Sequence, residues 1–169
     1  MIVMEEVYNK AFEYLQDKDN LESVDKGLAI LEEIYQQDPN NIKACFEYAG
    51  GWDSIGQEEK AVIYYEKVKV MGIKQLPKND QPCFYVQYGS TLRNLKQFDQ
   101  AKVVFEEGVK AFPDFLAIQL FQALNFCSMG IEIEKNKIYL EEQIKQINHP
   151  SVERYSRSLK NYLNQLMQN

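Results

Sequence analysis

The stretch YVQYGSTLRNLKQFDQAKVVFEEGVK, residues 85–110, repeats the skeleton of CFEYAGGWDSIGQEEKAVIYYEKVKV, residues 45–70. Tyr88-Gly89 stands where Tyr48-Ala49 stands, Ala101 answers Ala61 twelve residues on, and Phe105 answers Tyr65 four residues further. Leu92 and Trp52 each precede that alanine by nine positions. The offset from Ala61 to Ala101 is 40 residues, and from Gly27 to Ala61 it is 34. Pro39 and Pro113 follow Gly27 and Ala101 at the same distance of twelve, each where a helix should stop before the next unit begins.

The spacing has a physical sense. Small residues at Ala49, Ala61, Gly89 and Ala101 let two helices approach closely, and the large Trp52, Tyr65, Leu92 and Phe105 fill the gaps beside them. One such pair cannot bury its apolar face alone, so neighbours must stack on it. A weaker fourth unit places Ala123, Phe126 and Gly130 at the small, large and turn positions, with Lys135 at the second small position and Tyr139 four residues after it. The first unit offers Ala11 and Tyr14, but the distance to Gly27 is too long by about one helical turn.

This pattern resembles the tetratricopeptide repeat, whose period is ~34 residues. The resemblance covers most of residues 5–147 and is strongest in 42–113. YVQYGSTLRNLKQFDQAKVVFEEGVKAFPDFLAIQLFQALNF also resembles a bacterial subfamily of small tetratricopeptide proteins, group 5. The resemblance implies an all-α fold of antiparallel helix pairs in a right-handed superhelix. It would hold about four repeats (3–38, 41–74, 82–114 and 115–148) and a C-terminal capping helix at 151–167, with 1–169 as a single domain.

Nine helices are expected, near 3–16, 21–37, 41–54, 58–71, 82–95, 98–110, 115–128, 132–147 and 151–167. Leu21, Val24, Leu28, Leu31 and Ile34 show the helical period in the second. Asp19-Asn20, Pro39-Asn40-Asn41, Gly56 and Gly130 mark turns. VMGIKQLPKNDQP, residues 70–82, is one long connection, read as a tolerated surface insertion. In the last helix Val152, Tyr155, Leu159, Tyr162, Leu163 and Leu166 form one stripe, as a cap closing a solenoid would require.

Composition agrees with this reading and excludes several others. Hydrophobic residues are 45% and charged residues 26% of 169, enough apolar material for a core. Five prolines and eight glycines are few for a sandwich or barrel. The net charge of −6, with lysines and arginines scattered, opposes binding to nucleic acid or to an anionic membrane. Cys45, Cys83 and Cys127 are odd in number and far apart, so they read as small buried residues of a reducing compartment. MIVMEEVYNK lacks the form of a signal peptide, and no run approaches the ~18 apolar residues of a membrane span. A cytoplasmic location is expected.

No constellation points to catalysis, and neither a cofactor nor a metal is expected. His149 is a lone histidine before Pro150, and no phosphate-cradling glycine loop is present. Glu58-Glu59, Glu106-Glu107, Glu132, Glu134 and Glu141-Glu142 read as solvated helix faces, since adjacent helical residues do not face one another. By the resemblance, the first helix of each pair lines a concave groove. Its facing positions would be Lys43, Phe46, Gly50 and Asp53; Cys83, Val86, Ser90 and Arg93; and Ala117, Leu120, Leu124 and Cys127. Some members grip a peptide's terminal carboxylate with Lys, Asn and Arg at such places. Here Phe46 and Gly50 replace the polar groups, and Arg93 and Lys43 do not make that set. The implied function is therefore binding a protein or peptide partner in an apolar groove, with Arg93 and Asp53 as polar anchors. The alternatives are that the chain's own neighbours cover part of this stripe, or that a homo-oligomer packs through it.

Overall fold

The structure is a computed structural model that describes residues 2–145 and 150–168. These residues are helical almost throughout. The helices are α1 (Ile2–Gln16), α2 (Leu21–Gln37), α3 (Ile42–Ser54), α4 (Glu58–Met71), α5 (Gln81–Asn94), α6 (Phe98–Ala111), α7 (Leu116–Ser128), α8 (Ile133–Lys145), α9 (Pro150–Glu153) and α10 (Ser156–Met167). A 3-10 turn, Ile73–Gln75, follows α4. Among the described residues no helix is long and apolar enough to cross a membrane. The expected helices are present as antiparallel pairs, with one correction: the continuous helix at 151–167 is two pieces. Tyr155 leaves helical geometry, and its N–H turns back to the Val152 carbonyl at 2.9 Å. The break lets Val152 and Leu159 both become buried, while the Tyr155 ring meets Phe121 edge-on at 5.8 Å.

Contacts divide the chain into two compact units, Met1–Gln87 and Tyr88–Asn169. In the first, α1 packs on α2, α2 on α3 and α3 on α4, and α1 also touches α3. The N-termini of α2 and α3 are fixed by Asn20 and Asn41, whose side chains accept from the N–H groups of Ser23 and Ala44 at 3.1 and 3.0 Å. Tyr8, Ala11, Leu15, Val24, Leu31 and Tyr48 form the shared core. In the second unit α7 is the central helix, packed against α6, α8, α9 and α10. Leu120, Phe121 and Leu124 on α7 are buried, as are Leu140 on α8, Val152 on α9 and Leu159 on α10.

The small residues sit where the helices come closest. A Cβ added to Gly27 of α2 would lie 2.7 Å from the Ala11 carbonyl oxygen on α1. One added to Gly89 of α5 would lie 2.4 Å from the Phe105 ring on α6. Ala61 and Ala101 are fully buried. The turn inside each pair is also the same three times. The N–H groups of Gly56 and Gln57 turn back to Asp53 and Trp52, those of Lys96 and Gln97 to Arg93 and Leu92, and those of Gly130 and Ile131 to Cys127 and Phe126. Each satisfies the carbonyls that a helix end leaves open, and each needs a left-handed residue, at φ +76° for Gly56, 62° for Lys96 and +75° for Gly130.

Two glycines test this packing in opposite directions. Gly89→Ala is expected to destabilise by roughly 1–2 kcal/mol, because overpacking against the buried Phe105 outweighs the gain in helix propensity. Gly50→Ala should be neutral or stabilise by up to about 1 kcal/mol, since its added Cβ would meet Phe12 and Gln87 at ordinary contact distances of 3.5 and 3.7 Å. Denaturant midpoints of the two variants check the pair.

Candidate functional site

The first unit holds Lys43, Phe46, Gly50 and Asp53 on α3, and Cys83 and Val86 on α5. Lys43 is already engaged. Its ammonium lies 2.8 Å from Glu47 Oε1 and 2.8 Å from Asp80 Oδ2, and 5.6 Å from the Tyr8 ring centre. Burial works against this charge, but Glu47 and Asp80 outweigh it and hold the lysine's pKa above its usual range. The connection at 70–82 is thereby tied to α3. It is tied again by a buried Leu76 and by the Gln81 side-chain amide, which donates to the Leu76 carbonyl at 2.9 Å. Asp53 Oδ2 lies 3.1 Å from the hydroxyl of the fully buried Tyr65, which is also 3.0 Å from Gln87 Oε1. Phe12 of α1 lies over Gly50.

The apolar members of the stripe are core residues. Phe46 and Val86 are 1% exposed, and Leu120 and Leu124 are 0% exposed. Cys83, Ala117 and Cys127 are buried as well, and Ser90 is buried at 9%. In this chain the surface of these positions is taken up by intramolecular packing, which is the alternative in which the chain's own neighbours cover part of the stripe. The cause is visible on α3 and α7, each of which is packed by several helices of its own unit.

Arg93, in the second unit, is different. It ends α5 half-buried, its Nε–H donates to Ser128 Oγ at 3.1 Å, and its guanidinium lies over the Tyr162 ring of α10, 5.0 Å from the centre. The Tyr162 hydroxyl accepts from the Asn94 side-chain amide at 3.0 Å. Among the described residues no carboxylate lies within ion-pair distance of Arg93, and burial lowers its pKa from the usual arginine value. The sequence pointed to Arg93 but not to Ser128, Asn94 or Tyr162, because no spacing rule links position 93 to position 162. Elsewhere in this unit an open pocket of about 460 Å³ is lined by Gln119, Gln122, Asn136 and Tyr139 over Phe126.

Among the described residues no group of three His, Cys, Asp or Glu side chains could hold a metal ion. His149 lies outside the described residues. Cys45, Cys83 and Cys127 are buried thiols in no disulfide among the described residues, and burial pushes the Cys45 thiol up to about 11, which suppresses the thiolate.

Residues 42–166 match the model of the family described as Tetratrico peptide repeat. Two crystal structures of nearly identical TPR-like repeats, from a Podosopora anserina protein described as a kinesin light chain, are similar over nearly the whole chain. One is 18% identical at a TM-score of 0.65 and covers 97% of this chain and 94% of its own. The other, a singly substituted form of the same protein, is 18% identical at 0.66 and covers 98% and 91%. At that identity the likeness speaks to the fold. No curated protein gives a significant match.

Burial of Phe46 sets an expected outcome. Phe46→Glu should abolish folding, because a carboxylate placed there has no partner and costs several kcal/mol. Lys43→Ala should leave Glu47 and Asp80 facing each other and destabilise by roughly 1–3 kcal/mol, reduced from a fully buried pair by partial exposure. Lys43's own contribution should be whole below its ordinary pKa of 10.5 and fall only as pH climbs above it, because its folded pKa is raised. Circular dichroism with denaturant titration at several pH values checks all three.

Proposed function

The chain belongs to the tetratricopeptide-repeat family, and from that premise we propose that it is a cytoplasmic interaction module that holds a segment of another protein. Members of this family are generally protein–protein interaction modules and typically non-catalytic scaffolds. The observation that carries the proposal is Arg93. A half-buried guanidinium whose terminal N–H groups meet no carboxylate among the described residues offers donors to an incoming group. Recognition then centres on the second unit, around Arg93, Ser128 and the polar edge of Ser90, and not on Phe46, Val86, Leu120 or Leu124. Asp53 and Lys43 keep their internal partners and act as scaffold.

A homo-oligomer is the second reading. The apolar stripe does not support it, but α8 and the turn before it expose Ile131, Ile133 and Ile138 at 36%, 39% and 54%, and a second copy could cover these. Sedimentation over a range of concentrations separates the two readings: an interaction module stays monomeric, whereas self-association raises the mass.

Arg93→Ala is expected to weaken binding of a captured partner by about 1.5–3 kcal/mol, the range for hydrogen bonds to a charged group. Capture from native cytoplasm, followed by calorimetric titration of wild type and variant, checks this. Equal affinities would remove Arg93 from the site.

A further inference from the structure

In the first unit one side of α3, between α2 and α4, is filled by rings. Tyr35 of α2, Tyr48 of α3 and Tyr64 of α4 pack on one another with centres 4.6, 5.2 and 5.3 Å apart, and Trp52 adjoins Tyr48 at 5.9 Å. The Lys67 ammonium closes this cluster: it lies 4.9 Å from the Tyr64 ring centre and 3.2 Å from the Tyr35 hydroxyl.

The second unit repeats these positions with other residues. An offset of 74 residues carries Gly27 to Ala101, Pro39 to Pro113, Ala49 to Ala123 and Gly56 to Gly130. It puts Val109 in the place of Tyr35, Gln122 in that of Tyr48 and Phe126 in that of Trp52. One extra residue enters the turn before α8, which starts three residues after Gly130, whereas α4 starts two after Gly56. Glu132 lies in this turn at φ 43°. Within α8 the correspondence is therefore shifted by one. The fully buried Leu140 answers Tyr65, and Tyr139 answers Tyr64, where spacing alone had matched Tyr139 to Tyr65.

Of the three stacked rings the second unit thus keeps one. Val109, Gln122 and Tyr139, with Phe126 and Ala123, line the open pocket of about 460 Å³, which corresponds to space that tyrosine rings fill in the first unit. Its polar walls are partly fixed. The Gln119 amide donates to the Pro113 carbonyl at 2.9 Å, and its oxygen lies 3.5 Å from the Tyr139 hydroxyl. The half-buried Gln122 amide has no hydrogen bond among the described residues. No charged side chain is among the described residues that line the pocket, so a charged guest would lose water without gaining a counter-charge. A phenol suits it: the ring would pack on Phe126 and Tyr139, and the hydroxyl would pair with Gln122. The rim differs too. Glu142 holds the place of Lys67, exposed and in no ion pair among the described residues. The cation that closes the first cluster must here come with the guest.

We infer that this pocket receives a tyrosine side chain of a partner protein, next to a lysine or arginine in the same segment. The site goes beyond the reading centred on Arg93. By the ~3.6-residue period, Gln119, Gln122 and Phe126 lie on the opposite side of α7 from Leu120, Leu124 and Ser128, so the two surfaces do not overlap.

The test uses the full chain, nitrogen-15 labelled, with the side-chain amides of Gln122 and Asn136 as readouts and the exposed Gln37 as internal control. The probes are the amidated peptides N-acetyl-Gly-Tyr-Lys, N-acetyl-Gly-Ala-Lys and N-acetyl-Gly-Tyr-Glu. The Tyr-Lys peptide should shift Gln122 saturably while Gln37 stays still, and the Ala-Lys peptide should not. The Tyr-Glu peptide should bind at least about threefold more weakly at low salt, and the gap should close as salt is added. Gln122→Tyr restores the ring of the first unit; it should raise the denaturant midpoint and abolish the response at Asn136. Val109→Tyr, which fills the pocket from α6, should abolish it as well and serves if Gln122→Tyr does not fold. The inference is refuted if the Tyr-Lys peptide gives no saturable response, if the Ala-Lys peptide matches it, or if Gln37 responds equally. It is refuted equally if a folded filling variant binds undiminished. Equal affinity of the Tyr-Glu peptide would overturn the basic neighbour. Dilution of the free chain that moves Gln122 in the same way would make a second copy the occupant and overturn the partner tyrosine.

Discussion

The rest of the structure depends on how closely two helices of a pair can approach. At Gly89 there is no room for one more carbon, because the Phe105 ring already occupies that volume, and at Gly27 the Ala11 backbone does. Ala61 and Ala101, both fully buried, mark the equivalent place on the second helices. Close approach lets the large side chains beside each contact, Tyr65 and Phe105, be buried completely. It also requires the connecting turn to reverse the chain within a few residues. The left-handed turns at Gly56, Lys96 and Gly130 do this while bonding the last carbonyls of each first helix.

The same closeness limits what is left for recognition. First helices such as α3 and α7 are contacted from several directions, so the apolar side chains along them become core. In the first unit α1 brings Tyr8 to Lys43 and Phe12 to Gly50. In the second, α10 brings Tyr162 to Arg93. Polar groups in these places follow two different routes. Lys43 is neutralised by Glu47 and Asp80 and serves to anchor the long connection, whereas Arg93 is oriented by Ser128 and Tyr162 without a carboxylate. The difference between the two cations thus lies in what the neighbouring elements supply.

Much of the fold could be read from spacing. The small and large positions of residues 45–70 and 85–110 placed four helices, and Asn20, Asn41, Gly56 and Gly130 placed several ends, because each of these residues has a local reason to be there. Lys96 hid the second of the three turns: it adopts the left-handed conformation that glycine signals elsewhere, under tertiary constraint and at a cost local propensity would not predict. The break at Tyr155 was equally hidden, since the apolar stripe continues through it. The candidate site was less legible. Position along a helix could nominate Phe46, Leu120 and Arg93 alike, but only the packing of α1 on α3 and of α10 near Arg93 distinguishes core from surface. Such contacts join residues far apart in sequence and leave no periodic trace.

Cys83 and Cys127 lie on the stripe and are native reporters of whether it is open. Their labelling by a small disulfide reagent, followed under native conditions across a denaturant series and referred to the unfolded chain at the same pH, is the most direct measurement. If the stripe is core, both thiols should react only as fast as the chain unfolds, and their rates should rise with denaturant in step with global unfolding. Rapid labelling of either thiol in the absence of denaturant, with the helical circular dichroism intact, would show an open groove and contradict the account.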